Sequence, residues 1–305
     1  MPKYFMFAFI LYIVLSSRSI CNAQELLPFR QDSLWGFRDE AGETKIVPQY
    51  KYITKFSGQY AIVSDGRLLG AIDKANRLII PIQHEYLASL GTDDFLFGDK
   101  SKYFGEYIMG VIHKDNSVII PKAYSYISKT NGLYAVTKNL DSVISKTSMG
   151  DLRSVKKLYG LIDNDGKTII PCEYSYLLWA NDKLLVLTKD DKSGHQALFD
   201  RKGKQLTRFE YKVIGDFKEG VAKARIGNKY GFIYPNGKLA IPVKFQYCED
   251  FIGGYAIIQE GDNWGAIDKR GNIVIKPNTD YKSVVEHLKN KYGRMQVIEK
   301  PKVDI

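Results

Sequence analysis

The side chains best suited to catalysis or metal binding are scattered along this chain. None of its four histidines has a neighbour at the spacing of a metal-ligand pair: His84, His113, His195 and His287. The sequence contains no H-E-x-x-H motif, no G-x-S-x-G motif and no glycine-rich phosphate loop. It therefore predicts no catalytic residue, no metal site and no cofactor.

Aspartates recur at fixed positions, and paired carboxylates would be the chemistry of glycoside hydrolysis. Each of these aspartates stands three residues before a Gly or Asn: Asp39, Asp73, Asp163, Asp200 and Asp268. Asp caps a turn by accepting a backbone N–H two residues on, and Gly or Asn tolerates a positive φ. We interpret these aspartates as hairpin turns rather than as catalytic acids.

The turns belong to a repeat of about 34 residues. Seven segments of the type "YGLIDNDGKTIIP" align, and the repeats begin near residues 34, 69, 109, 159, 196, 230 and 264. A Gly follows the first residue in six copies: Gly36, Gly70, Gly110, Gly160, Gly231 and Gly265. The fifth copy has Ala197 in this place and lacks the proline. Self-similarity at such a period indicates a repeat array.

Each repeat reads as three antiparallel strands. The Gly-bearing strand alternates apolar residues, and a return strand of the type "KTIIP" follows the turn. Proline cannot donate to a sheet ladder, so it is predicted to mark a strand end or an edge. A third strand such as "GYAII" leads into the next repeat. Aromatic residues follow the proline, and the first candidates for partner contact or inter-repeat packing are Tyr50, Tyr52, Tyr124, Tyr126, Tyr174, Tyr176 and Tyr247.

These features resemble the WG-repeat family, whose Trp-Gly pair stands here as Trp35-Gly36 and Trp264-Gly265. The resemblance covers residues 34 to 280 and implies a β-rich repeat module used for binding or scaffolding. Trp is replaced by Leu, Met or Tyr in four copies. Seven meanders either close into a propeller-like ring or continue as an open curved superhelix, and the pattern leaves both open.

The ends of the chain differ from the array at residues 24–280. Residues 1–23 have the charge, the apolar run and the small residues of a signal peptide with cleavage after Ala23, which predicts a secreted or periplasmic protein. Residues 281–305 begin with apolar positions at helical spacing, with Asp280 as N-cap and Gly293 as C′. This segment is predicted to be a capping helix and tail over the last repeat.

Charge and cysteines exclude some classes of function. The net charge of +10 falls to +8 when Lys3 and Arg18 are removed with the signal peptide, and the cations are spread along the chain. This distribution is typical of a solvated surface rather than a nucleic-acid site.

The mature chain has no second long apolar run, so we predict that it has no membrane span. We also expect it to be a monomer. Cys172 and Cys248 are interpreted as separate buried thiols.

Insertions all fall between the third strand and the next Gly-bearing strand. The longest, residues 138–157, is polar and carries the predicted partner-binding cations Lys138, Lys146, Arg153, Lys156 and Lys157. Insertions in repeat arrays map to one face, often the binding face, although a tolerated loop gives the same pattern. The leading hypothesis is a non-catalytic exported module that binds a protein or a cell-envelope glycan. The alternative is a carbohydrate-active enzyme or its accessory subunit.

Overall fold

The computed structural model describes residues 25–101, 106–140, 144–147, 150–153 and 155–292. The predicted signal peptide, Gly293 and the tail lie outside these residues. The described chain consists of antiparallel strands and one helix, which confirms the all-β repeat fold with a C-terminal helix. That helix is neither long nor apolar enough to cross a membrane. The chain divides into two compact units, residues 1–84 and 85–305.

The first unit contains a three-stranded and a four-stranded sheet. Their strands are β1 (Leu27–Gln31), β2 (Leu34–Arg38), β3 (Thr44–Tyr50), β4 (Tyr52–Ile53), β5 (Tyr60–Ser64), β6 (Leu69–Asp73) and β7 (Leu78–His84). The spatial orders are β1-β2-β3 and β4-β5-β6-β7, so each strand pairs with its sequence neighbour. Phe37, Ile46 and Ile72 are buried in the core of this unit.

The second unit continues the pattern. Its strands are β8 (Tyr86–Ser89), β9 (Asp94–Lys100), β10 (Tyr107–His113), β11 (Val118–Tyr124), β12 (Tyr126–Thr130), β13 (Leu133–Leu140), β14 (Ile144–Thr147), β15 (Gly150–Arg153), β16 (Lys156–Ile162), β17 (Thr168–Trp179), β18 (Leu184–Lys189), β19 (Gln196–Asp200), β20 (Val213–Lys218), β21 (Val221–Ile226), β22 (Lys229–Ile233), β23 (Leu239–Phe245), β24 (Tyr247–Cys248), β25 (Tyr255–Glu260), β26 (Asn263–Asp268) and β27 (Ile273–Thr279). They form the sheets β8–β11, β12-β13-β16-β17-β18-β19, β14-β15, β20–β23 and β24–β27, and helix α1 (Tyr281–Tyr292) follows.

Most repeats contain one more strand than the sequence pattern predicts. The three predicted strands are present in these repeats, but five sheets begin with a further short strand, namely β4, β8, β12, β20 and β24. It starts just after the return strand of the preceding repeat, so each sheet combines residues of two adjacent repeats. Strands β4 and β24 span two residues each. Segments this short show no alternation of apolar and polar residues, so the sequence pattern does not distinguish them from connectors.

The recurring glycine is required by a close approach of the return strand. A Cβ on Gly231 would lie 2.6 Å from the backbone oxygen of Ile241, and a Cβ on Gly265 would lie 2.5 Å from that of Ile275. The pairing shifts register at this place, with Tyr230 opposite Phe245 and Phe232 opposite Ile241. This bulge leaves room for a glycine only.

The prolines do not end the return strands, which corrects one alternative of the sequence prediction. Pro81 and Pro242 lie inside β7 and β23, within the bulge opposite the glycine. These strands are the outer strands of their sheets. A proline at the edge of a sheet interrupts no ladder hydrogen bond, so the strand continues past it.

The hairpin turns form as predicted. Asp163 Oδ1 accepts the backbone N–H groups of Asp165 and Lys167 at 3.0 and 2.8 Å. Gly166 has a φ of 81°, and Asn76 takes the same place in the second repeat with a φ of 59°. Equivalent bonds hold the turns at Asp39, Asp73, Asp200 and Asp268. The recurrent aspartates therefore stabilise the backbone.

The fifth repeat departs from the pattern where its sequence does. Strand β17 runs unbroken from the return strand of the fourth repeat through the segment that elsewhere forms a separate short strand, so β12, β13 and β16 to β19 share a six-stranded sheet. Beyond β19, the return segment forms no strand, only two isolated bridges, between Phe199 and Gln205 and between Gln196 and Tyr211.

Candidate functional site

A pocket of about 430 Å³ lies between two successive sheets of the second unit. One wall belongs to the sheet β8–β11 and the other to the sheet that begins with β12 and β13. Its lining combines four tyrosines with polar and charged groups: Tyr86, Glu106, Tyr107, Met109, Ser125, Tyr126, Thr137, Asn139, Lys157 and Tyr159. This size and this mixture of aromatic and polar side chains are typical of a small-ligand pocket.

The pocket forms where the two longest insertions meet. The hairpin β9–β10 is extended as far as the pair Lys100 and Tyr107, next to Glu106. The hairpin β13–β16 is extended as far as the pair Leu140 and Lys156. Glu106 and Tyr107 come from the first extension, and Asn139 and Lys157 from the second. The insertions thus supply polar side chains to a pocket whose other residues are repeat positions.

A chain of hydrogen bonds fixes the polar wall. Ser125 Oγ donates to Asn139 Oδ1 at 2.8 Å, and Asn139 Nδ2 donates to Glu106 Oε2 at 3.0 Å. These two bonds define the orientation of the Asn139 amide. In the part of the chain that the structure describes, Glu106 Oε1 has no hydrogen-bond partner. It is therefore an acceptor that a ligand can use.

The aromatic wall is built from tyrosines in two arrangements. Tyr86 and Tyr107 have ring centroids 4.7 Å apart and planes inclined at 35°. Burial raises the pKa of the Tyr86 hydroxyl above its ordinary value. Tyr126 is more exposed than these two tyrosines, with 59% of its surface accessible to solvent. Its ring is available to a ligand without any rearrangement of the core.

Only part of the predicted cationic cluster converges on this pocket. Lys157 lines it, and Asn139 lies directly opposite Lys157 in the β13–β16 pairing. Lys138 and Lys156 are next to these residues in sequence and therefore point to the other face of the sheet. Lys138 lies 5.3 Å from the centroid of the Tyr124 ring, and Lys156 forms an ion pair with Asp190 at 2.5 Å.

The remaining two predicted cations belong to the hairpin β14–β15. Lys146 pairs with Asp151 in the backbone register, and Arg153 pairs with Ile144. Their side chains lie outside the described part of the structure. The assignment of residues 138–157 to partner binding stays a prediction.

The tyrosines proposed for contact divide into packed and exposed positions. Tyr50 is buried, and Tyr124 and Tyr174 pack against hydrophobic clusters, as inter-repeat packing requires. Tyr52, Tyr126 and Tyr176 are exposed by 50% or more. Tyr247 packs against Trp264 with ring centroids 5.8 Å apart. Tyr126 is the one in this set that lines the pocket.

A second polar cluster was missed by the sequence pattern. Asp94 lies opposite His113 in the β9–β10 pairing and accepts from its Nδ1 at 2.9 Å. Asp94 Oδ2 also accepts from Lys129 Nζ and from the Tyr134 hydroxyl, both at 2.7 Å. His113 occupies the turn position that other repeats give to Asp, and this substitution is the only sequence signal of the cluster.

The cluster joins successive sheets rather than opening to a ligand. Lys129 and Tyr134 are themselves a cross-strand pair of β12 and β13, and Tyr134 is fully buried. Burial raises the pKa of Asp94, but the hydrogen bonds from His113, Lys129 and Tyr134 outweigh it and lower the pKa to about 2. Asp94 is therefore a charged structural link between two repeats.

The cysteines are separate thiols. Cys172 and Cys248 are both free, as predicted, but only Cys248 is buried, whereas Cys172 is partly exposed. Burial raises the pKa of both thiols, that of Cys248 to about 12. Such thiols are unreactive at neutral pH. Within the described ranges, no group of three or more His, Cys, Asp or Glu side chains is arranged to hold a metal ion.

Comparison with protein families gives one clear match. The family model described as WG containing repeat matches residues 35–67, 109–139, 159–192, 198–230, 230–264 and 264–281. The second predicted repeat, which contains β6 and β7, falls between the first two matches. No curated protein sequence matches the chain.

Several solved structures are similar at low identity. A eukaryotic initiation factor has 11% identity and a TM-score of 0.34, with 84% of this chain and 74% of that chain covered. PorZ, a surface component of the type-IX secretion system of Porphyromonas gingivalis, has 9% identity and a TM-score of 0.28, with coverages of 84% and 37%. The AfRom2 CNH domain has 11% identity, a TM-score of 0.23 and coverages of 84% and 85%.

Proposed function

Because this chain belongs to the WG containing repeat family, a family of β-repeat modules, we propose that it is a non-catalytic recognition protein whose ligand occupies the pocket between β8–β11 and β12–β13. The observation that carries this proposal is which parts of the sequence supply the residues that line the pocket. The recurring Gly, Asp and Pro serve the backbone, whereas the two longest insertions bring Glu106, Tyr107, Asn139 and Lys157 to one place. Residues that differ between copies of a repeat are those free to serve binding.

The same chemistry favours binding over hydrolysis. A glycosidase needs two carboxyl groups across the scissile bond. Glu106 is the one carboxylate among the described lining residues, and its Oε2 is held by Asn139. The aspartates that recur in the repeats are engaged in turns. The alternative of a carbohydrate-active enzyme therefore has less support at this site.

Export is part of the proposal and rests on residues 1–23. Cleavage after Ala23 gives a mature chain that begins at Gln24, in the periplasm or outside the cell. Its partner is then a protein or a glycan of the cell envelope. N-terminal sequencing of the chain recovered from these compartments tests this part, and an intact Met1 terminus there would contradict it.

Retention on envelope material tests the pocket. The purified mature chain is incubated with envelope that is untreated, digested with protease or oxidised with periodate, and the retained fraction is measured. Tyr126→Ala is expected to abolish retention. Tyr52→Ala is the matched control, because Tyr52 holds the equivalent repeat position in β4 and is 53% exposed, outside the pocket.

The three treatments identify the class of partner. Loss of retention after periodate indicates a glycan, and loss after protease indicates a protein. Equal retention of Tyr126→Ala and the unmodified chain would overturn the assignment of the pocket. Release of reducing sugar from the envelope by the purified chain would overturn the non-catalytic part of the proposal.

A further inference from the structure

Lys157 differs from its neighbour in how its charge is compensated. Lys156 forms an ion pair with Asp190, whereas no described acidic side chain lies within ion-pair distance of Lys157. Lys157 is exposed and lines the pocket. Its ammonium group is therefore available to an anionic group of a bound ligand.

The negative charge in the pocket, the Glu106 carboxylate, is held by a hydrogen bond at one of its two oxygens. Asn139 stands opposite Lys157 in the strand pairing and donates to Glu106 Oε2, so one carboxylate oxygen of Glu106 is occupied and Oε1 stays open. An open carboxylate oxygen accepts a hydrogen bond from a hydroxyl. The ligand best matched to this wall carries both an anion and hydroxyl groups.

The tyrosines provide flat apolar surfaces beside these polar groups. Tyr86 and Tyr107 form a wall of two mutually tilted rings, and Tyr126 presents an exposed ring. A sugar ring has an apolar face of C–H groups and an edge of hydroxyls, which matches an aromatic ring with polar groups at its rim. The pocket volume of about 430 Å³ suits a small ligand or the end of a chain rather than a flat protein surface.

We propose that the pocket binds a saccharide that carries a carboxylate, with the carboxylate at Lys157, hydroxyl groups at Glu106 and Asn139, and the sugar ring against Tyr126. This inference rests on the proposed function and names the ligand class of the same pocket.

The charge of the surrounding sequence supports an acidic ligand. Residues 138–157 contain five cations and two aspartates and so carry a net charge of +3, and the chain without residues 1–23 carries +8. A positive field of this kind raises the local concentration of anions and speeds their association.

The test is calorimetric titration of the mature chain with three probes. They are a tri-uronic acid, the same trisaccharide after reduction of its carboxyl groups to alcohols, and citrate as an anion that is not a sugar. The uronic acid is expected to bind at least about tenfold more tightly than the reduced trisaccharide, because the latter lacks the charged hydrogen bond to Lys157. Citrate is expected to bind weakly, because it offers no ring to Tyr126.

Two variants locate the binding. Lys157→Gln is expected to lower the affinity for the uronic acid about tenfold and to leave the affinity for the reduced trisaccharide unchanged. The variant therefore loses the preference for the acidic ligand. Lys138→Gln is the matched control, because it removes one charge from the same strand pair on the opposite face. It is expected to change the affinity for the uronic acid less than twofold, as a surface charge beyond the site does.

The outcomes separate the two proposals. Equal affinity for the acidic and the reduced trisaccharide, or an unchanged affinity in Lys157→Gln, would overturn the acidic-saccharide inference. If citrate bound as tightly as the uronic acid, the inference would also be overturned, because the site would then recognise negative charge without a sugar ring. If no probe binds while retention on envelope still depends on Tyr126, the ligand class is wrong and the proposed function stands. If retention does not depend on Tyr126, the proposed function itself fails.

Discussion

Trp264 and Tyr281 form a T-shaped contact, with ring centroids 5.1 Å apart and a separation of 17 positions in sequence. The same separation joins Tyr230 to Tyr247 at 5.6 Å and Tyr159 to Tyr176 at 6.1 Å. In those repeats the second tyrosine lies in the first strand of the next sheet or its equivalent. Helix α1 therefore begins where the first strand of a further sheet would begin, and it keeps the aromatic contact.

This relationship makes α1 a cap whose buried side is required for stability. Leu288 and Val284 are fully buried and pack against Ile257 and Ala266. Leu288→Ala is expected to lower the free energy of unfolding by about 2–4 kcal/mol, because it leaves a cavity in a closed cluster. Urea unfolding followed by tyrosine and tryptophan fluorescence measures the change. The control is Lys289→Ala on the exposed side, and equal unfolding midpoints for the two variants would contradict the role of the cap.

Glu249 is a half-buried carboxylate that contacts the same helix. Burial raises its pKa above the ordinary value, against the lowering effect of the Tyr281 hydroxyl, which donates to Glu249 Oε1 at 2.8 Å. A raised pKa in the folded state means that this group contributes most below the pKa of the unfolded chain. That contribution is lost as the pH rises through the folded value.

Glu249→Gln is therefore expected to be more stable than the unmodified chain at pH 7, because glutamine keeps an acceptor for Tyr281 without a buried charge. The difference should disappear below about pH 4, where a glutamate of the unfolded chain is also protonated. Thermal unfolding at both pH values measures it. Glu260→Gln, an exposed position on β25, controls for the loss of a charge, and a destabilised Glu249→Gln at pH 7 would contradict the expectation.

Most of the fold could be predicted from the sequence because the constraints are local and repeat. An Asp three residues before Gly sets the turn, and Asp280 caps α1 by accepting the N–H of Ser283 at 3.0 Å. The additional short strands could not be predicted, since a pair such as Tyr52 and Ile53 carries no periodicity. The positions of the prolines inside β7 and β23 depend on which strand forms the sheet edge, and that is a property of the assembled sheet.

The bulge opposite each recurring glycine gives a sharp test of this local account. Gly231→Ala would place a Cβ 2.6 Å from the backbone oxygen of Ile241, so the two strands must separate. The expected loss is about 2–4 kcal/mol of unfolding free energy, the range of a forced overpacking with lost ladder bonds. Gly215 lies in the same sheet, and its Cβ would have no neighbour closer than 3.6 Å. Gly215→Ala should change stability by less than about 1 kcal/mol.

The unfolding midpoint in urea compares these two variants directly. Equal destabilisation of both would mean that glycine is needed only for backbone freedom. That result would contradict the close approach, since both residues have ordinary backbone angles.

The candidate site was less accessible to sequence reasoning than the fold. The sequence shows where the insertions lie, but the five cations of residues 138–157 are predicted to act together only because they are close in sequence. Strand alternation sends Lys157 to the pocket and Lys138 to the opposite face. Glu106 and Asn139 meet across two sheets, and their hydrogen bond depends on tertiary packing alone. Polar residues in two separate insertions carry no signal that they will converge.

The link between successive sheets at Asp94 makes a prediction about acid stability. Its pKa of about 2 lies below the value of about 3.9 for an unfolded aspartate. A lowered pKa means that the contribution is fully present above about pH 4 and is lost as the pH falls toward 2. Asp94→Ala should cost about 2–4 kcal/mol at pH 7, because Lys129 and the buried Tyr134 lose their shared acceptor.

The pH dependence separates this link from an ordinary loss of packing. The stability difference between Asp94→Ala and the unmodified chain should shrink between about pH 4 and pH 2, as Asp94 becomes protonated in the unmodified chain. Asp99→Ala provides the control on the same strand, because Asp99 forms an exposed ion pair with Lys122 that is worth less than about 1 kcal/mol. Urea midpoints measured at intervals of half a pH unit test this, and a difference that stays constant down to pH 2 would show that the Asp94 charge contributes nothing.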